Sequence, residues 1–501
     1  MKKYFGRINQ KFSTFYSMSF TLCFLIFSFF AALTGCTNRI TTETLSPEPT
    51  TTSTAAISTA PSTFTSKTHD PLSQSGGPYL LIQSDFSQYQ IIDVATNKIK
   101  PFNPPIEDIQ YNLSKNQSPS GDLMLFHADN NTITVSSLVT GKIISTHLLP
   151  NETPKFNVDL AAREIKSLPQ ENPYSPESLR VMVEDTYQKS LSDIRWYKDD
   201  QYWLLSRDSS TNSTNLNLYE LNSRSFTPIE NQPGLVLDFW IGPDKNQILL
   251  KKGYIDEPGG WDGLCFFYIV NTMDRTVLPI PLPKSVNTPN VFWLQAETIG
   301  IIHQMAPIGG IDFSVFDLNS GKTTQIIEGN FSHVSLYNDN LFWIKSNNSD
   351  QLSTINISNF QAEILRQQTI SQTCFYKTRL DNLIVLNCEN ISLIITEAFE
   401  VIPFGDAVSF ISPKSKRNVA ILVTQNGAVH LLDKTTLERE PLILEGTPVE
   451  IRWLPDGSGF LYRTAGKLYF LDLDSRLSTL LLDSQYLGDY SNIDAVWIKS
   501  N

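Results

Sequence analysis

Short runs of alternating apolar and polar residues, separated by turn residues, cover most of the chain after residue 77. The segment 451–476 reads IRWLPDGSGFLYRTAGKLYFLDLDSR and contains three such runs with the turns between them. A period of two places one face of each run in a core, and the Pro, Asp and Gly residues supply the turns. Together with the run at 477–482, the pattern predicts four antiparallel strands in about 35 residues.

The same pattern returns along the chain. Copies of the first run and its turn read DFWIGPDKN from Asp238, IRWYKDD from Ile194, VFWLQAE from Val291 and SFISPKSK from Ser409. A four-stranded unit repeated at about forty residues is typical of a β-propeller blade. We therefore predict an all-β protein, a single β-propeller of four-stranded antiparallel blades over 77–501.

The number of blades is less clearly defined by the pattern. Candidate first strands lie near Tyr111, Trp196, Trp240, Trp293, Leu336, Phe375, Phe410, Trp453 and Trp497, which makes nine. Because propellers usually have about four to eight blades, we expect one of the weaker units, near Leu336 or Phe375, to be misassigned. We favour eight blades, with seven as the alternative.

The two ends of the propeller region complement one another. The segment from Pro78 supplies three strands without a first strand, and the segment around Trp497 supplies a first strand with nothing after it. If both join one blade, the C-terminal strand closes the ring and leaves no free sheet edge.

One region departs from the repeat, near 155–192. NVDLAAREIKSL and SPESLRVMVEDTYQKSL have helical patterns, and Ser175, followed by Pro and Glu, is a good N-cap. Longer loops follow at Arg207, Gly253 and Met305. Loops after second and fourth strands emerge on one face, so we expect this helical insertion and the three loops to lie on the same face.

Within those loops, five residues are candidates for ligand binding. Tyr254 and Trp261 offer stacking surfaces, and Asp256, Glu257 and Asp262 offer hydrogen-bond acceptors. Long structured loops on one side of a rigid scaffold are where binding usually resides. The alternative, that these loops only pack against one another, remains open.

The first 35 residues have a different character. A basic start without acidic residues precedes an apolar run from about Phe20 to Leu33, which is short for a membrane span of roughly 20 residues. The run ends in Leu-Thr-Gly-Cys, at Cys36. These features are typical of a secretory signal.

The four residues that end at Cys36 resemble the lipobox of bacterial lipoproteins. The resemblance implies cleavage before Cys36, a diacylglycerol on its sulfur and an acylated N-terminus, which would make 1–35 a lipoprotein signal peptide. The alternatives are an ordinary signal peptide and an uncleaved anchor. Residues 36–76 are rich in Thr, Ser and Pro, and we expect a disordered tether because such a composition cannot bury a core.

Charge narrows the range of partners. The chain has 39 basic and 51 acidic residues and a net charge of −12, and removal of the four basic residues of 1–35 makes it −16. An acidic protein is a poor ligand for nucleic acid or for anionic lipid headgroups. We therefore expect no nucleic acid as partner, and contact with the membrane through the lipid anchor.

The repeat resembles a known family. Trp453-Leu454-Pro455-Asp456-Gly457 and, in part, Trp240 with Pro243-Asp244 are similar to the W-S-P-D-G repeats of bacterial Tol-type propellers, which are relatives of WD repeats. The resemblance implies the fold, whereas propellers host many activities. We interpret the Trp residues as packing between blades and the Asp residues as caps of their own turns.

The sequence contains few residues in patterns that indicate catalysis or metal binding. There is no HExxH, GxSxG, phosphate loop or zinc-type Cys/His spacing, so we expect no catalytic residue, metal or cofactor. Cys374 and Cys388 lie on consecutive strands and would face each other if the hairpin centres near Asp381. Such a pair forms a disulfide outside the cytoplasm in the right register, and two separate thiols are the alternative.

These observations favour a lipid-anchored extracytoplasmic protein, at the cell surface or in the periplasm. We expect a binding or scaffold module for a protein, peptide or glycan. The alternative is an extracytoplasmic hydrolase or lyase with its active site at the propeller mouth. An assembly factor is a third possibility, on analogy with the Tol propeller alone.

Overall fold

We describe a computed structural model of the chain. The structure describes residues 67–499 except 74–75, 86–87, 106–112, 128–130, 150–154, 168–173, 210–211, 256–264, 283–288, 305–310, 330, 338, 348–351, 381–382, 390, 397, 413–416 and 484–494. All described residues fall within the compact unit Thr59–Asn501. None of the helices among them combines the length and the apolar character that a membrane crossing needs.

The described strands form nine antiparallel sheets, which we number as blades 1 to 9 in chain order. Blade 1 contains β1 (Tyr79–Asp85), β2 (Gln88–Asp93), β3 (Lys98–Phe102) and the last strand, β35 (Ala495–Ile498). Blade 2 contains β4 (Leu123–His127), β5 (Thr132–Ser137) and β6 (Ile143–Leu148). Blade 3 contains β7 (Ile194–Tyr197), β8 (Tyr202–Asp208), β9 (Thr214–Glu220) and β10 (Ser225–Pro228).

The remaining blades each contain four consecutive strands. Blade 4 contains β11 (Leu235–Ile241), β12 (Gln247–Gly253), β13 (Cys265–Asn271) and β14 (Val277–Pro279). Blade 5 contains β15 (Asn290–Gln295), β16 (Thr298–Gln304), β17 (Ile311–Asp317) and β18 (Lys322–Ile327). Blade 6 contains β19 (His333–Tyr337), β20 (Asn340–Asn347), β21 (Leu352–Ser358) and β22 (Ile364–Ile370).

Blade 7 contains β23 (Cys374–Leu380), β24 (Leu383–Cys388), β25 (Ile391–Ile395) and β26 (Val401–Asp406). Blade 8 contains β27 (Val408–Ser412), β28 (Val419–Thr424), β29 (Val429–Asp433) and β30 (Arg439–Leu442). Blade 9 contains β31 (Glu450–Trp453), β32 (Gly459–Thr464), β33 (Lys467–Asp472) and β34 (Ser478–Asp483). The prediction of an all-β propeller with four-stranded antiparallel blades is confirmed.

The predicted number of blades is wrong: among the described residues there are nine, not eight or seven. We expected one unit, near Leu336 or near Phe375, to be misassigned, but both are complete sheets, since Leu336 lies in β19 and Phe375 in β23. The usual range of blade numbers is a statistic and not a physical limit, because each sheet only needs to pack against its two neighbours. Tyr111, the candidate in blade 2, lies outside the described residues.

Blade 2 is the irregular blade. A four-residue helix, α1 (Leu113–Asn116), precedes it, and a single bridge between Gln117 and Met124 stands where the other blades have a first strand. The Gln117 side chain also donates to the carbonyl oxygen of Trp497, at 2.7 Å. This bond ties the start of blade 2 to the C-terminal strand of blade 1.

The C-terminal strand closes the ring, as predicted. β35 pairs with β1 over four residues, from Tyr79 opposite Ile498 to Ile82 opposite Ala495. Three of its four side chains are buried, and Trp497 is half-buried. The strand therefore supplies blade 1 with both a backbone ladder and core contacts.

The tryptophans of the first strands connect neighbouring blades. Trp453 lies in an apolar cluster with Ile421 and Val423 of blade 8 and contacts Phe460 of its own blade edge-on, with ring centroids 5.3 Å apart. The indole N–H also donates to the preceding blade in three cases, from Trp196 to Asn116 O at 2.8 Å, from Trp293 to Trp240 O at 3.1 Å and from Trp453 to Ser412 O at 3.4 Å. The interpretation of these residues as interblade packing agrees with this arrangement.

Two first strands share a further motif that connects forward to the next blade. It reads DIRW at 193–196 and EIRW at 450–453. Each arginine forms an ion pair with the acid two residues before it, at 2.7 Å in the first motif and 2.8 Å in the second. Arg195 then donates to the carbonyl oxygen of Phe239, and Arg452 to that of Ala495. The acid holds the guanidinium in position for the bond to the neighbouring strand.

The turn aspartates cap their own turns. The Asp456 carboxylate accepts the N–H of Ser458 at 2.9 Å, and Asp244 accepts the N–H of Asn246 at 3.0 Å. These bonds satisfy backbone donors that the tight turns leave unpaired. The W-x-P-D-G repeat is therefore a structural element of the ring.

Residues 67–73, which we call the strap, are packed although they fall within the segment predicted as a tether. The Thr68 N–H donates to Gly141 O and the Leu72 N–H to Val139 O, both at 2.8 Å. Thr68 and His69 are buried. The packed body thus begins at least ten residues before the predicted boundary at 77, because these backbone groups bond to the β5–β6 turn.

Candidate functional site

The helical insertion lies where the sequence predicts it, between blades 2 and 3. It contains α2 (Val158–Lys166) and α3 (Pro176–Ser192). Asn157 caps α2 by accepting the Leu160 N–H at 3.0 Å, and Ser175 caps α3 by accepting the Ser178 N–H at 3.1 Å. Both caps satisfy donors that a helix start leaves free. The predicted N-cap of the second helix is thus the observed one.

The insertion is packed on the ring and does not extend freely from it. Its apolar side forms one cluster with residues of blade 4: Phe156, Ala161, Ala162, Ile165, Leu179, Val183, Tyr187, Leu235 and Ile255. The Phe156 and Tyr187 rings stack, with centroids 4.9 Å apart. At about 1.5–3 kcal/mol for each large buried side chain, this cluster suffices to hold two helices in place.

Beneath α3 lies a buried group of polar residues, which we call the polar hub: Ser190, Ser206, Thr214, Glu230 and Lys252. The Ser190 hydroxyl is 2.9 Å from the hydroxyls of Ser206 and Thr214. The Thr214 hydroxyl also accepts the Val236 N–H of blade 4 at 2.8 Å. The insertion, blade 3 and blade 4 therefore meet at one set of hydrogen bonds.

The charged half of the polar hub is fully buried. The Lys252 ammonium lies 3.1 Å from both Glu230 oxygens and donates to Thr214 O at 2.7 Å and to Gln232 O. Glu230 in turn accepts the N–H groups of Leu216 at 2.7 Å and Gln232 at 2.6 Å. Burial lowers the pKa of Lys252, and the Glu230 carboxylate opposes that shift. Such a pair is tolerated inside a protein only when its polar atoms are satisfied, as these are.

The end of β8 and the residues after it, in blade 3, provide a second attachment for the insertion. The Tyr187 hydroxyl donates to the Asp208 carboxylate at 3.0 Å, and the same carboxylate accepts the Lys155 N–H at 3.2 Å. Burial, followed by the charge of Asp208, raises the pKa of Tyr187. The Asn157 N–H donates to Asn212 Oδ1 at 2.5 Å. The residues around the predicted Arg207 loop thus contact the insertion directly.

The outward side of α3 is exposed and charged. Arg180 pairs with Glu177 at 3.0 Å and with Glu184 at 3.4 Å, and Lys189 pairs with Asp185 at 2.6 Å. Pairs of this kind on a helix surface contribute about 0.2–0.5 kcal/mol each. Val181, an apolar residue in the same row, is 53% exposed. The helix presents a ridge of mixed charge with one apolar position.

Of the five predicted binding residues, only Tyr254 is among the described residues. It is half-buried against the helices, and burial, with a smaller contribution from Glu164, raises the pKa of its hydroxyl. It packs between the insertion and blade 4 and so offers little free stacking surface. Asp256, Glu257, Trp261 and Asp262 lie outside the described residues, as does the loop at Met305.

The structure describes only some of the segments that we expect on one face. The insertion, the end of β8 and the residues after β12 lie together, as expected for loops after second and fourth strands. Their contacts with one another also agree with the alternative that these segments pack together. The exposed ridge of α3 is the part of this face that such packing leaves available.

A chain of charges runs from α1 to the first strands of blades 3 and 4, and the repeat pattern of the sequence does not predict it. Lys115 pairs with Asp193, Asp193 with Arg195, and Arg195 with Asp238. Burial raises the pKa of Asp193, but the neighbouring Arg195 and Lys115 outweigh it and leave the pKa below its usual value. The recurrence of an acid two residues before Arg in DIRW and EIRW is the signal that could have predicted part of this chain.

One arrangement has the components of a catalytic relay. His147 lies with Nε2 2.8 Å from the Ser145 hydroxyl and with Nδ1 2.9 Å from the Tyr219 hydroxyl. Its ring packs edge-on against Trp203, and burial followed by the charge of Arg224 lowers its pKa to about 4. His147 is only 2% exposed, so a substrate has no access to it. The geometry is that of a buried structural network.

Two further predicted features concern metals and cysteines. Within the described part of the chain, no group of three or more His, Cys, Asp or Glu residues is placed to hold a metal ion. Cys374 and Cys388 lie directly opposite each other on β23 and β24, with their sulfurs 2.01 Å apart in a disulfide and both side chains buried. The hairpin turns between Leu380 and Leu383, and a register shift between Tyr376 and Thr378 brings the two cysteines opposite each other.

Comparison with known proteins gives fold-level likeness only. No protein-family model matches the chain, and no curated protein matches its sequence. Dipeptidyl peptidase 4 from Porphyromonas gingivalis is 9% identical, with a TM-score of 0.44, over 74% of this chain and 59% of that one. This chain therefore spans little more than half the length of that peptidase.

Two other solved structures are similar over different shares of their length. The dihydro-heme d1 dehydrogenase NirN is 12% identical, with a TM-score of 0.39, over 84% of this chain and 78% of that one. An oligogalacturonate lyase in complex with manganese is 11% identical, with a TM-score of 0.30, over 56% of this chain and 86% of that one. At these scores, neither the activities nor the ligands of these proteins are transferred to this chain.

Proposed function

We propose that the protein is an extracytoplasmic binding or scaffold module that recognises a protein partner through the face carrying the helical insertion. One observation carries the proposal: α3 is fixed to blades 3 and 4 by the polar hub and by Tyr187, while its outward side is exposed. A surface that is already ordered loses little conformational entropy on binding, which favours affinity.

The shape and charge of this surface favour a protein or peptide over a glycan. A helix of 17 residues is about 25 Å long, which exceeds the length of a short oligosaccharide unit. Its outward row alternates acidic and basic residues around the exposed Val181. Mixed charge around an apolar position suits a complementary protein surface, where charges set specificity and association rate.

We include membrane anchoring through a lipid on Cys36 in this proposal. Its support is the placement of Leu-Thr-Gly-Cys after a basic and apolar N-terminal segment, and the resemblance of that arrangement to a lipobox. The disulfide between Cys374 and Cys388 suits an oxidising compartment outside the cytoplasm. The proposal also includes a relationship to Tol-type propellers, and its support is the resemblance of the W-x-P-D-G repeats.

Site-specific photo-crosslinking tests the recognition surface. A photoreactive amino acid at Val181 or at Gln188 on α3 is expected to give the same crosslinked species in producing cells. The matched controls are Thr323 and Leu365, exposed positions on the outer strands β18 and β22. A species that forms equally from all four positions, or from the controls alone, would show that the partner binds elsewhere.

Fractionation tests the anchor separately. Cys36→Ala is expected to move the protein from the membrane fraction to the soluble extracytoplasmic fraction or to block its processing. Cys23→Ala, within the predicted signal peptide, is the control and should leave the membrane fraction unchanged. A Cys36→Ala protein that is processed normally and still sediments with membranes would rule the lipid anchor out.

A further inference from the structure

A cavity of about 280 Å³ lies on blade 1, and its lining contains no residue of the helical insertion. One side of it is the sheet of β1, β2 and β3. The other side is the strap, which supplies Leu72 and Ser73, together with Gly76. At about 30 Å³ per water, the space corresponds to about nine water molecules, which is enough for a small organic molecule.

The register of blade 1 places the polar side chains of the cavity on one face of the sheet. Tyr79 lies opposite Asp93, Asp93 opposite Lys98, and Ile91 opposite Lys100. Side chains two residues apart on a strand point to the same side, so both lysines of β3 face the cavity with their Cα atoms about 7 Å apart. Apolar side chains and two lysines therefore line the same cavity.

The strap is held over this face by specific bonds. The Tyr79 hydroxyl donates to Ser73 O at 2.7 Å, and the Gly77 N–H donates to Asp93 Oδ1 at 3.1 Å. A side chain at Gly76 is excluded, because a Cβ there would lie 2.4 Å from the Tyr79 hydroxyl oxygen and 2.8 Å from Asp93 Oδ2. The cavity is thus a built feature of the contact between strap and sheet.

The charges in the cavity are not balanced. Asp93, its one acid, already accepts the N–H groups of Gly77 and Thr96, at 3.1 and 3.3 Å. Among the described residues, neither the Lys98 nor the Lys100 side chain forms an ion pair or a hydrogen bond. In a chain of net charge −12, two lysines with no such partner beside an apolar wall form a local site for an anion.

We propose that this cavity binds a small organic phosphate, with the phosphate between Lys98 and Lys100 and the carbon body against Leu72, Ile91 and the Tyr79 ring. A phosphate monoester carries a charge of about −1.5 to −2 near neutral pH. Such a ligand therefore matches two ammonium groups better than a ligand with a single carboxylate does. The volume admits a phosphate with a short carbon body. This site is independent of the recognition surface on α3.

Titration of the purified full-length protein with glycerol 3-phosphate, followed by calorimetry, tests the proposal. The wild-type protein is expected to bind it, and Lys98→Ala/Lys100→Ala to bind at least tenfold more weakly. Lys322→Ala, an exposed lysine on the outer strand of blade 5, should bind as the wild type does, and glycerol should not bind. Equal urea midpoints for all proteins establish that the fold is unchanged.

A second arm distinguishes the source of the phosphate. If the ligand is a lipid headgroup, Cys36→Ala protein should sediment with vesicles that contain phosphatidic acid, a phosphate monoester, but not with phosphatidylcholine vesicles, and the two lysine substitutions should abolish this sedimentation. If the ligand is a soluble ester, only glycerol 3-phosphate should bind. The proposal is overturned if glycerol 3-phosphate does not bind at 10 mM, or if the double lysine variant binds it as well as the wild type.

Discussion

Replacement of Lys252 by Met tests whether the polar hub holds blades 3 and 4 and the insertion together. Met keeps most of the volume of the side chain and removes the ammonium. The change leaves the Glu230 carboxylate with only the N–H groups of Leu216 and Gln232, and it leaves Thr214 O without the 2.7 Å bond from Lys252. The hub would then contain a buried charge without a counterion.

The magnitude follows from the burial of the pair. Both side chains are 0% exposed, so solvent cannot screen or replace the lost interaction. Breaking a buried ion pair by removing one partner costs about 3–5 kcal/mol, because the other charge stays buried. We therefore expect Lys252→Met to lower the free energy of unfolding by about 4 kcal/mol. Adding Glu230→Gln removes the uncompensated charge and should restore at least about 1 kcal/mol.

Urea unfolding followed by tryptophan fluorescence measures these changes, with the slope of the transition checked for each variant. Limited proteolysis between α2 and α3 should show faster cleavage in Lys252→Met, since Thr214 also holds Ser190. The control is Lys467→Met, which breaks an exposed pair with Asp483 at 3.8 Å and should cost less than about 1 kcal/mol. If Lys252→Met cost no more than Lys467→Met, the role of the hub as a buried anchor would be refuted.

Two smaller predictions concern the strap and a buried histidine. Gly141→Ala places a Cβ 1.9 Å from His69 O and should therefore make residues 67–73 accessible to protease. The control is Gly321→Ala, where φ is similarly positive but no atom lies within 4 Å of the added Cβ, and it should leave residues 67–73 protected. Equal protection in both variants would argue against strap packing. The folded pKa of His147 is about 4, below its unfolded value of about 6.5, so its contribution to stability is present above pH 6.5 and lost as pH falls toward 4, by up to about 3 kcal/mol. Urea midpoints from pH 7 to 4 should fall less steeply for His147→Gln than for wild type, and identical slopes would contradict the assignment.

The fold could be predicted from the sequence because each blade repeats one local pattern. Alternation and turn residues recur at the candidate positions that the structure describes, and a Trp stands in five of the first strands, those of blades 1, 3, 4, 5 and 9. The blade count was harder to predict, because the units around Leu336 and Phe375 match the repeat only weakly. Their first strands lack Trp, yet their sheets bury the same kind of apolar face.

The site was less predictable, because its contacts join residues far apart in the chain. Glu230 follows one blade and Lys252 lies in the next, and neither stands in a motif that marks it as buried. Tyr254 was chosen for an exposed role, but the helices of the insertion cover it. The polar composition of the strap predicts a tether. Its order comes from backbone bonds to the β5–β6 turn, which composition does not show.

The closed nine-bladed ring, on which the recognition face depends, is tested most directly by truncation before Ala495. This change removes β35, which pairs with β1 over four residues and has three buried side chains. Loss of the Val496 and Ile498 burial alone costs about 3–6 kcal/mol, and β1 gains an exposed edge. A truncation after Ile498 is the control. For the first truncation only, urea unfolding should show a free energy of unfolding lower by at least about 3 kcal/mol, or size-exclusion chromatography should show aggregation. Equal urea midpoints and monomeric elution for both truncations would contradict closure of the ring.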